Sequence, residues 1–364
     1  MNHVPCHGCG GILQNNQAEA PFYVPMPIDA TTPQLCRRCY RLKHYGEVQP
    51  AVLPAESYRE MIDGLLEIDA LMVLVVDVFD LSGSLVPMIR RLLLEKDVVV
   101  LANKCDLLPK SVPLNKVAHK VMRQLHVEGI KPHDVIPISA LKKVQIDQAM
   151  DTLFKRAKGR DVYVLGSTNV GKSTVINAFL AASSGHPEHP LSVHGSRGTT
   201  QGFIALPFGK ATLYDTPGLY PTNHVAALLG DASYAMLQPK KEVKPLGYQL
   251  VAGQTLFLGG LCRLDHLEGQ AGSWIVYVAP TVTVHRRKTL DADDFYTRHC
   301  GELLSPPSMT DTPFKLKRHR FNLDPKVKTD IVVPGLGFVT VRGVAKLDVH
   351  VPEIIAPSRR EALI

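Results

Sequence analysis

The sequence predicts an α/β domain built on a mostly parallel, doubly wound sheet, with a small metal-binding module in front of it and an α+β domain behind. Three observations carry this expectation. Strand-length apolar runs alternate with helix-compatible stretches through residues 51–222, the pattern of a parallel sheet covered on both faces. The run Gly166-Ser167-Thr168-Asn169-Val170-Gly171-Lys172-Ser173 fits G-x-x-x-x-G-K-[ST] without a mismatch. Ahead of both, four cysteines form two tight pairs, Cys6-x2-Cys9 and Cys36-x2-Cys39.

The elements follow in order. Residues 1–50 are rich in Pro, Gly and Cys and lack periodicity; so short a segment buries little core and needs a staple. Within 51–222, strands are expected at Ala70–Val78, Val98–Ala102, Val135–Ile138, Val162–Leu165 and Ala211–Tyr214. Helices are expected at Leu85–Leu94, Val144–Lys158 and Lys172–Ala182. Residues 223–364 change character, with strands at Thr255–Leu258, Trp274–Val278, Gly337–Val341 and Lys346–His350 around a helix near Ala292–Leu303. A chain of 364 residues is too long for one ordinary domain, and these parts give three: 1–50, 51–222 and 223–364.

Composition narrows the classes. Hydrophobic residues are 45% and charged residues 21%, normal globular usage that excludes a wholly disordered or low-complexity chain. Apolar runs such as Ala70–Val76 fall far short of the roughly 20 residues of a membrane helix, and no charged segment followed by an apolar one opens the chain. A cytoplasmic location without membrane contact is therefore expected. The net charge of +7 permits a polyanionic partner without identifying it. After residue 222 there are 18 basic and 14 acidic residues, so more than half of the surplus lies there.

Gly166–Ser173 stands between an expected strand and an expected helix. There the backbone N–H groups of such a loop cradle phosphates. Gly166, Asn169, Val170 and Gly171 form the loop. Lys172 would reach the β- and γ-phosphates, and the Ser173 hydroxyl, with Thr174 beside it, opens the helix and would hold Mg2+. The base is indicated by Asn103-Lys104-Cys105-Asp106, which follows a strand and so lies at the carboxyl edge of the sheet, where nucleotides bind. A carboxylate at Asp106 accepts from guanine N1–H and the exocyclic amine together; adenine lacks that donor pair. Asn103 would brace the loop, and the Lys104 stem would cover the ring. This is the N-K-x-D pattern of GTPases. Ser139-Ala140 is similar to their S-A loop, whose backbone N–H bonds guanine O6. Asp215-Thr216-Pro217-Gly218 resembles D-x-x-G, with Asp215 serving Mg2+ through water and the Gly218 N–H sensing the γ-phosphate. Between them, Gly198-Thr199-Thr200 supplies a threonine to complete the Mg2+ shell; the resemblance favours Thr200, with Thr199 second.

The order of these motifs is the most informative feature. The usual GTPase carries the phosphate loop first and N-K-x-D later. Here the order is N-K-x-D, S-A, phosphate loop, G-T-T, D-x-x-G. A circular permutation explains it, since joining nearby termini and cutting elsewhere leaves sheet order unchanged. The D-x-x-G loop then ends the GTPase domain and runs directly into residues 223–364.

With these motifs the chain resembles the circularly permuted GTPases of ribosome assembly, and within them the YqeH group. The resemblance extends to Gln254-Thr255-Leu256-Phe257-Leu258-Gly259-Gly260-Leu261 and Leu303-Leu304-Ser305-Pro306-Pro307. It implies GTP and GDP as ligands with Mg2+, hydrolysis of GTP, and a role with rRNA and ribosomal proteins in small-subunit assembly, with no DNA partner. The glutamine that orients water after D-x-x-G in Ras-type enzymes is replaced by Leu219, so intrinsic turnover should be slow, or be completed by a partner or an ion. Asn169 holds the place of an asparagine that helps bind K+ in related GTPases; either it does so here, adding positive charge beside the β–γ bridge, or it only braces the loop.

The four cysteines, with 26 residues between the pairs, suit one tetrahedral zinc site, with redox chemistry or disulfides as the competing reading. Arg37, Arg38, Arg41 and Lys43 lie beside it and would offset four thiolates or touch phosphate. In the last domain, Arg286-Arg287-Lys288 and Lys315 to Arg320 form basic clusters: RNA-contacting or simply solvated. Two other functions compete with a GTP switch. One is a phosphotransferase acting on a small metabolite; the other is a zinc-bearing RNA-binding scaffold that holds GTP with little turnover.

Overall fold

The computed structural model describes residues 4–18, 20–45, 47–49, 55–183, 203–218, 223–311 and 314–364. The chain divides into two compact units. One comprises Met1–Val78, Ser84–Cys105 and Val121–Tyr220; the other comprises Phe79–Gly83, Asp106–Lys120 and Pro221–Ile364.

Up to residue 218 the elements are α1 (Arg37–Tyr45), α2 (Ala55–Leu66), β1 (Leu71–Asp77), α3 (Leu81–Ser84), α4 (Pro87–Leu93), β2 (Val98–Asn103), α5 (Leu114–Val127), β3 (Asp134–Pro137), α6 (Ile146–Ala157), β4 (Val162–Leu165), α7 (Lys172–Ser183), β5 (Ile204–Phe208) and β6 (Ala211–Asp215). Their six strands form one sheet in the order β3-β2-β1-β4-β6-β5. All neighbours are parallel except β5 and β6. β1 and β2 are unbroken apolar runs, Leu71–Val76 and Val98–Ala102, all fully buried, because helices cover a parallel sheet on both faces. Ile146, Met150 and Leu153 of α6 and Ile176, Phe179 and Leu180 of α7 pack with Val73, Val75, Val99 and Val164 in one core. Each such side chain contributes about 1.5–3 kcal/mol by burial.

The sheet order demonstrates the permutation. β4, the strand before the phosphate loop, is central. The strands that follow it in the chain lie on one side, and the three that precede it lie on the other.

In this sheet the expected strands stand within a residue or two of those observed; in the other unit the strand expected at Trp274–Val278 begins at Cys262. The helix expected at Leu85–Leu94 is shorter because Pro87 begins it, with φ preset and no N–H to satisfy. Five elements of this part are not expected from the sequence: α1, α2, α3, α5 and β5. α5 buries Val117, Val121 and Leu125, a helical spacing present in the sequence. β5 returns antiparallel to β6 across the two residues Gly209 and Lys210.

The other unit holds α8 (Asp231–Met236), β7 (Leu246–Leu250), β8 (Gln254–Leu258), β9 (Cys262–Val278), β10 (Val284–Lys288), α9 (Ala292–His299), β11 (Leu316–Asn322), β12 (Thr329–Val333), β13 (Gly337–Pro352) and β14 (Ser358–Glu361). Its antiparallel sheet runs β10-β8-β9-β13-β12-β14, with β11 also on β13 and β7 also on β9. The two strands expected at Gly337–Val341 and Lys346–His350 are one long strand, whose register against β9 shifts between Arg342 and Leu347. The helix expected to reach Leu303 stops at His299, where Cys300 turns to extended backbone. Trp274, Leu264, Val276, Leu347 and Val349 are buried at its centre.

Candidate nucleotide and metal sites

The four cysteine sulfurs converge, all lying within 4.8 Å of one another, and all four residues are buried. Cys9 Sγ and Cys36 Sγ are 3.9 Å apart. A tetrahedral zinc ion with Zn–S bonds of about 2.3 Å requires sulfur–sulfur edges of about 3.8 Å, so the donor set fits zinc. The Cys36 N–H donates to Cys6 Sγ at 3.2 Å and the Gly8 N–H does so at 3.4 Å, as expected around a thiolate. The neighbouring sulfurs, Cys36 first, hold the Cys39 thiol far above its ordinary value: four ionised sulfurs so close need a cation among them.

The phosphate loop lies between β4 and α7. Gly171 has φ +93°, and a Cβ there would stand 2.4 Å from Asn103 Nδ2, so only glycine fits. Asn103, at the end of β2, donates through Nδ2 to the Val170 carbonyl at 2.9 Å and accepts the Ala140 N–H on Oδ1 at 3.0 Å. One side chain thereby joins the N-K-x-D strand, the phosphate loop and the S-A loop. The Lys104 ammonium meets Asp77 Oδ2 at 2.7 Å. The Ser139 hydroxyl accepts the Lys142 N–H at 3.0 Å, tightening the S-A turn. Asp106 follows in a 3-10 turn, Cys105–Leu107.

A cavity of about 690 Å3 opens at the carboxyl ends of these strands, the size range of small-ligand sites. Lys104, Asn169, Gly171, Lys172, Ser173, Thr174, Asp215 and Gly218 all line it. Gly166 and Val170 complete the loop; Asp106, Ser139 and Ala140 are outside the lining set. Thr199 and Thr200 lie outside the described residues, as does Leu219.

The buried Lys172 ammonium donates to the Gly166 carbonyl at 2.8 Å and to the Ser167 carbonyl at 3.3 Å. Burial pulls its pKa down to about 8; Asp215 opposes that shift and Arg38 adds to it. Asp215 is 1% exposed, and its Oδ1 has no hydrogen-bond partner among the described residues. An orphaned buried carboxylate oxygen in the same cavity as Ser173 is the donor chemistry that Mg2+ seeks, so these residues fit that ion.

The sequence did not reveal that the cysteine module forms part of this cavity. Phe22, Tyr23, Arg37, Arg38 and Gln49 also line it, and Arg38 donates from Nη2 to Asp215 Oδ2. The Val48 backbone is bonded in both directions to the Asn177 side chain of α7, at 2.8 and 3.1 Å. No spacing rule relates these residues. The sole signal was the cluster of arginines beside Cys36 and Cys39.

In the other unit the basic clusters are on strands. Arg286, Arg287 and Lys288 are exposed on β10, at the end of the sheet order. On β11, Arg320 pairs with Asp348 at 2.7 and 2.8 Å, so part of that cluster is neutralised.

Comparison with known proteins agrees with this geometry. Residues 271–363 match the family described as YqeH-like, C-terminal, and residues 161–244 match the 50S ribosome-binding GTPase family. The chain is 36% identical over 369 residues to the Bacillus subtilis protein named "Uncharacterized protein YqeH", covering 100% of both chains. It is 27% identical to Arabidopsis thaliana NO-associated protein 1, chloroplastic/mitochondrial, over 94% of this chain and 70% of that one. A stretch of 124 residues is 32% identical to the small ribosomal subunit biogenesis GTPase RsgA of Streptomyces coelicolor, covering 33% of this chain and 31% of that one. Full-length similarity at this level, a phosphate-loop strand flanked in permuted order, and a four-cysteine cluster ahead of it lead to one conclusion: the chain belongs to the YqeH family and carries a circularly permuted GTPase domain.

Proposed function

We propose that the protein binds and hydrolyses GTP as a switch in ribosome assembly, acting on the small subunit through rRNA or ribosomal proteins. The observation that carries this reading is the convergence of Lys172, Ser173, Asp215 and Gly218 on one cavity at the carboxyl edge of the permuted sheet. In this reading the loop N–H groups and Lys172 bind the phosphates. Ser173 and Asp215 hold Mg2+, with Thr200 or Thr199 joining when GTP is bound, and the ion shields the charge that develops on the phosphates. Asp106 reads guanine, Asn103 holds the reading loop to the phosphate loop, and Lys104 covers the ring. Gly218 carries the γ-phosphate signal out of the domain. Its motif ends the GTPase part, so a change there is delivered straight into residues 223–364, where Arg286–Lys288 and Lys315–Arg320 offer phosphate contacts.

The chain works in this proposal as three parts, 1–50, 51–222 and 223–364, with zinc in the first, and acts in the cytoplasm. Among the described residues, no helix is long and apolar enough to cross a membrane. The small subunit is favoured by the name of the Streptomyces relative; the matched GTPase family is named for the 50S subunit instead. Sedimentation of the protein with 30S, 50S and 70S particles, in GTP-analogue and GDP states, tests both. Cosedimentation with 30S in the analogue state alone is expected; nucleotide-independent binding, or binding to 50S only, overturns the small-subunit switch.

Leu219 favours slow turnover or the alternative scaffold that holds GTP without hydrolysis. Turnover measured with and without ribosomes separates them. Asn169 sits at φ +63° on the cavity wall, which supports K+ as an added cation. Turnover in KCl is expected to exceed that in NaCl, and equal rates would sink the potassium role.

A further inference from the structure

Arg38 belongs to the cysteine module, yet its side chain is inside the nucleotide cavity. It stands between Cys36 and Cys39 at the start of α1, so the sulfur cluster fixes its backbone. The residue is only 8% exposed. Its Nε donates to the Gln49 carbonyl at 2.9 Å, and Nη2 is bonded to Asp215 Oδ2. It lines the same cavity as Lys172, Ser173 and Gly218.

We propose that Arg38 is an arginine supplied in cis to the GTP site: it holds Asp215 at the cavity wall, and contacts the phosphate chain once Asp215 serves Mg2+. This rests on the GTPase reading above and adds a residue to it.

The argument is one of charge. Arg38 and Lys172 bring two cations to a cavity wall where Asp215 brings one carboxylate, so these three leave a surplus positive charge suited to a polyanion. Asp215 can offer its Oδ1 to Mg2+ while Oδ2 stays beside the guanidinium, but one carboxylate is then shared between two cations. A guanidinium this buried is unfavourable when the charge of its anion is drawn towards another cation. Phosphate oxygens offer the replacement, because the planar fork matches them with paired, charge-assisted hydrogen bonds. The Gln49 carbonyl keeps Nε oriented while the terminal nitrogens change partner. A fixed guanidinium beside the transferring phosphate stabilises the charge that develops there.

The test uses the full-length, zinc-loaded protein and the variants Arg38→Ala and Arg38→Lys. Zinc content, affinity for fluorescent GDP, the Mg2+ concentration for half-maximal nucleotide binding, single-turnover GTP hydrolysis and formation of a GDP–aluminium fluoride complex are measured. For Arg38→Ala, we expect zinc unchanged and GDP affinity within about tenfold of the parent. Single turnover should fall by roughly 10²–10³, the aluminium fluoride complex should be lost, and less Mg2+ should be needed because Asp215 is no longer shared. Arg38→Lys keeps the charge without the fork and should fall between. Parental turnover and aluminium fluoride binding in Arg38→Ala overturn the proposal. Should that variant lose zinc, Arg38→Lys decides by the same readouts, parental values again being fatal. A parent protein that binds no GTP removes the GTPase reading itself, an outcome visible before any variant is made.

Discussion

Asn103 Nδ2 donates to the carbonyl of Val170 at 2.9 Å, across 67 positions of chain. The same side chain accepts the Ala140 N–H, so three loops of the nucleotide site are fastened by one amide. Replacing it with alanine leaves a buried carbonyl and a buried N–H unsatisfied, about 1–3 kcal/mol for each group. Only part of that cost falls on binding, the rest on the free protein, so Asn103→Ala should bind GDP roughly 10–100-fold more weakly. Asn103→Asp, which keeps the acceptor but loses the donor to Val170, should be impaired as well. Titration with fluorescent GDP checks this; unchanged affinity in Asn103→Ala would show that the loops are held by other contacts.

The cysteine cluster yields a second expectation. Its module is too small to fold on apolar burial alone, and four converging sulfurs need a cation. Metal analysis should find one zinc per chain, and Cys39→Ser should lose it. Because α1 carries both Cys39 and Arg38, and Cys36 itself lines the nucleotide cavity, zinc loss should also weaken nucleotide binding. A zinc-free variant with parental GDP affinity would show that the module and the pocket are independent.

How far the sequence anticipates the structure depends on the range of the interaction. Val98–Asn103 and Leu71–Asp77 are legible because a strand buried on both faces must be apolar throughout. The phosphate loop is legible because Gly171 tolerates no substitute against Asn103. The order of motifs implies the permutation, and β4 at the centre of the sheet bears it out. What escaped is what no local pattern encodes. Arg38 and Asp215 are 177 positions apart, and nothing in their spacing brings them together. The strand Gly337–Pro352 reads as two in the sequence because Arg342 and Gly343 interrupt its apolar run, and the shifted register accommodates them.

Asp106 provides a test of base selection. Its carboxylate can accept two hydrogen bonds at once from guanine, and an amide cannot. Asp106→Asn should lose GTP affinity and gain xanthosine triphosphate, whose C2 oxygen accepts from the new amide. The expected reversal follows from leaving a polar group unpaired in each mismatched complex, a penalty that discriminates strongly. Competition binding with the two triphosphates measures it, and a variant that still prefers GTP removes Asp106 as the base reader.

Asp80 sets an expectation for pH. Its Oδ2 meets His224 Nε2 at 3.0 Å and accepts the Gly335 N–H at 2.8 Å, while Oδ1 accepts the Gly83 N–H at 3.0 Å. Burial by itself would raise this carboxyl, but the His224 ring and the two N–H donors prevail and hold it below its ordinary 3.8. A depressed carboxylate contributes stability that is present above its unfolded pKa and lost as pH falls through the folded value. The contribution should thus be complete at pH 5–7 and disappear progressively below about pH 4. Asp80→Asn keeps the shape but not the charge, and should lower stability by roughly 1–3 kcal/mol near neutrality. Urea unfolding of parent and variant between pH 7 and pH 3 tests the sign. The gap should close below pH 4; a gap that persists undiminished at pH 3 would mean that Asp80 is not held as the carboxylate.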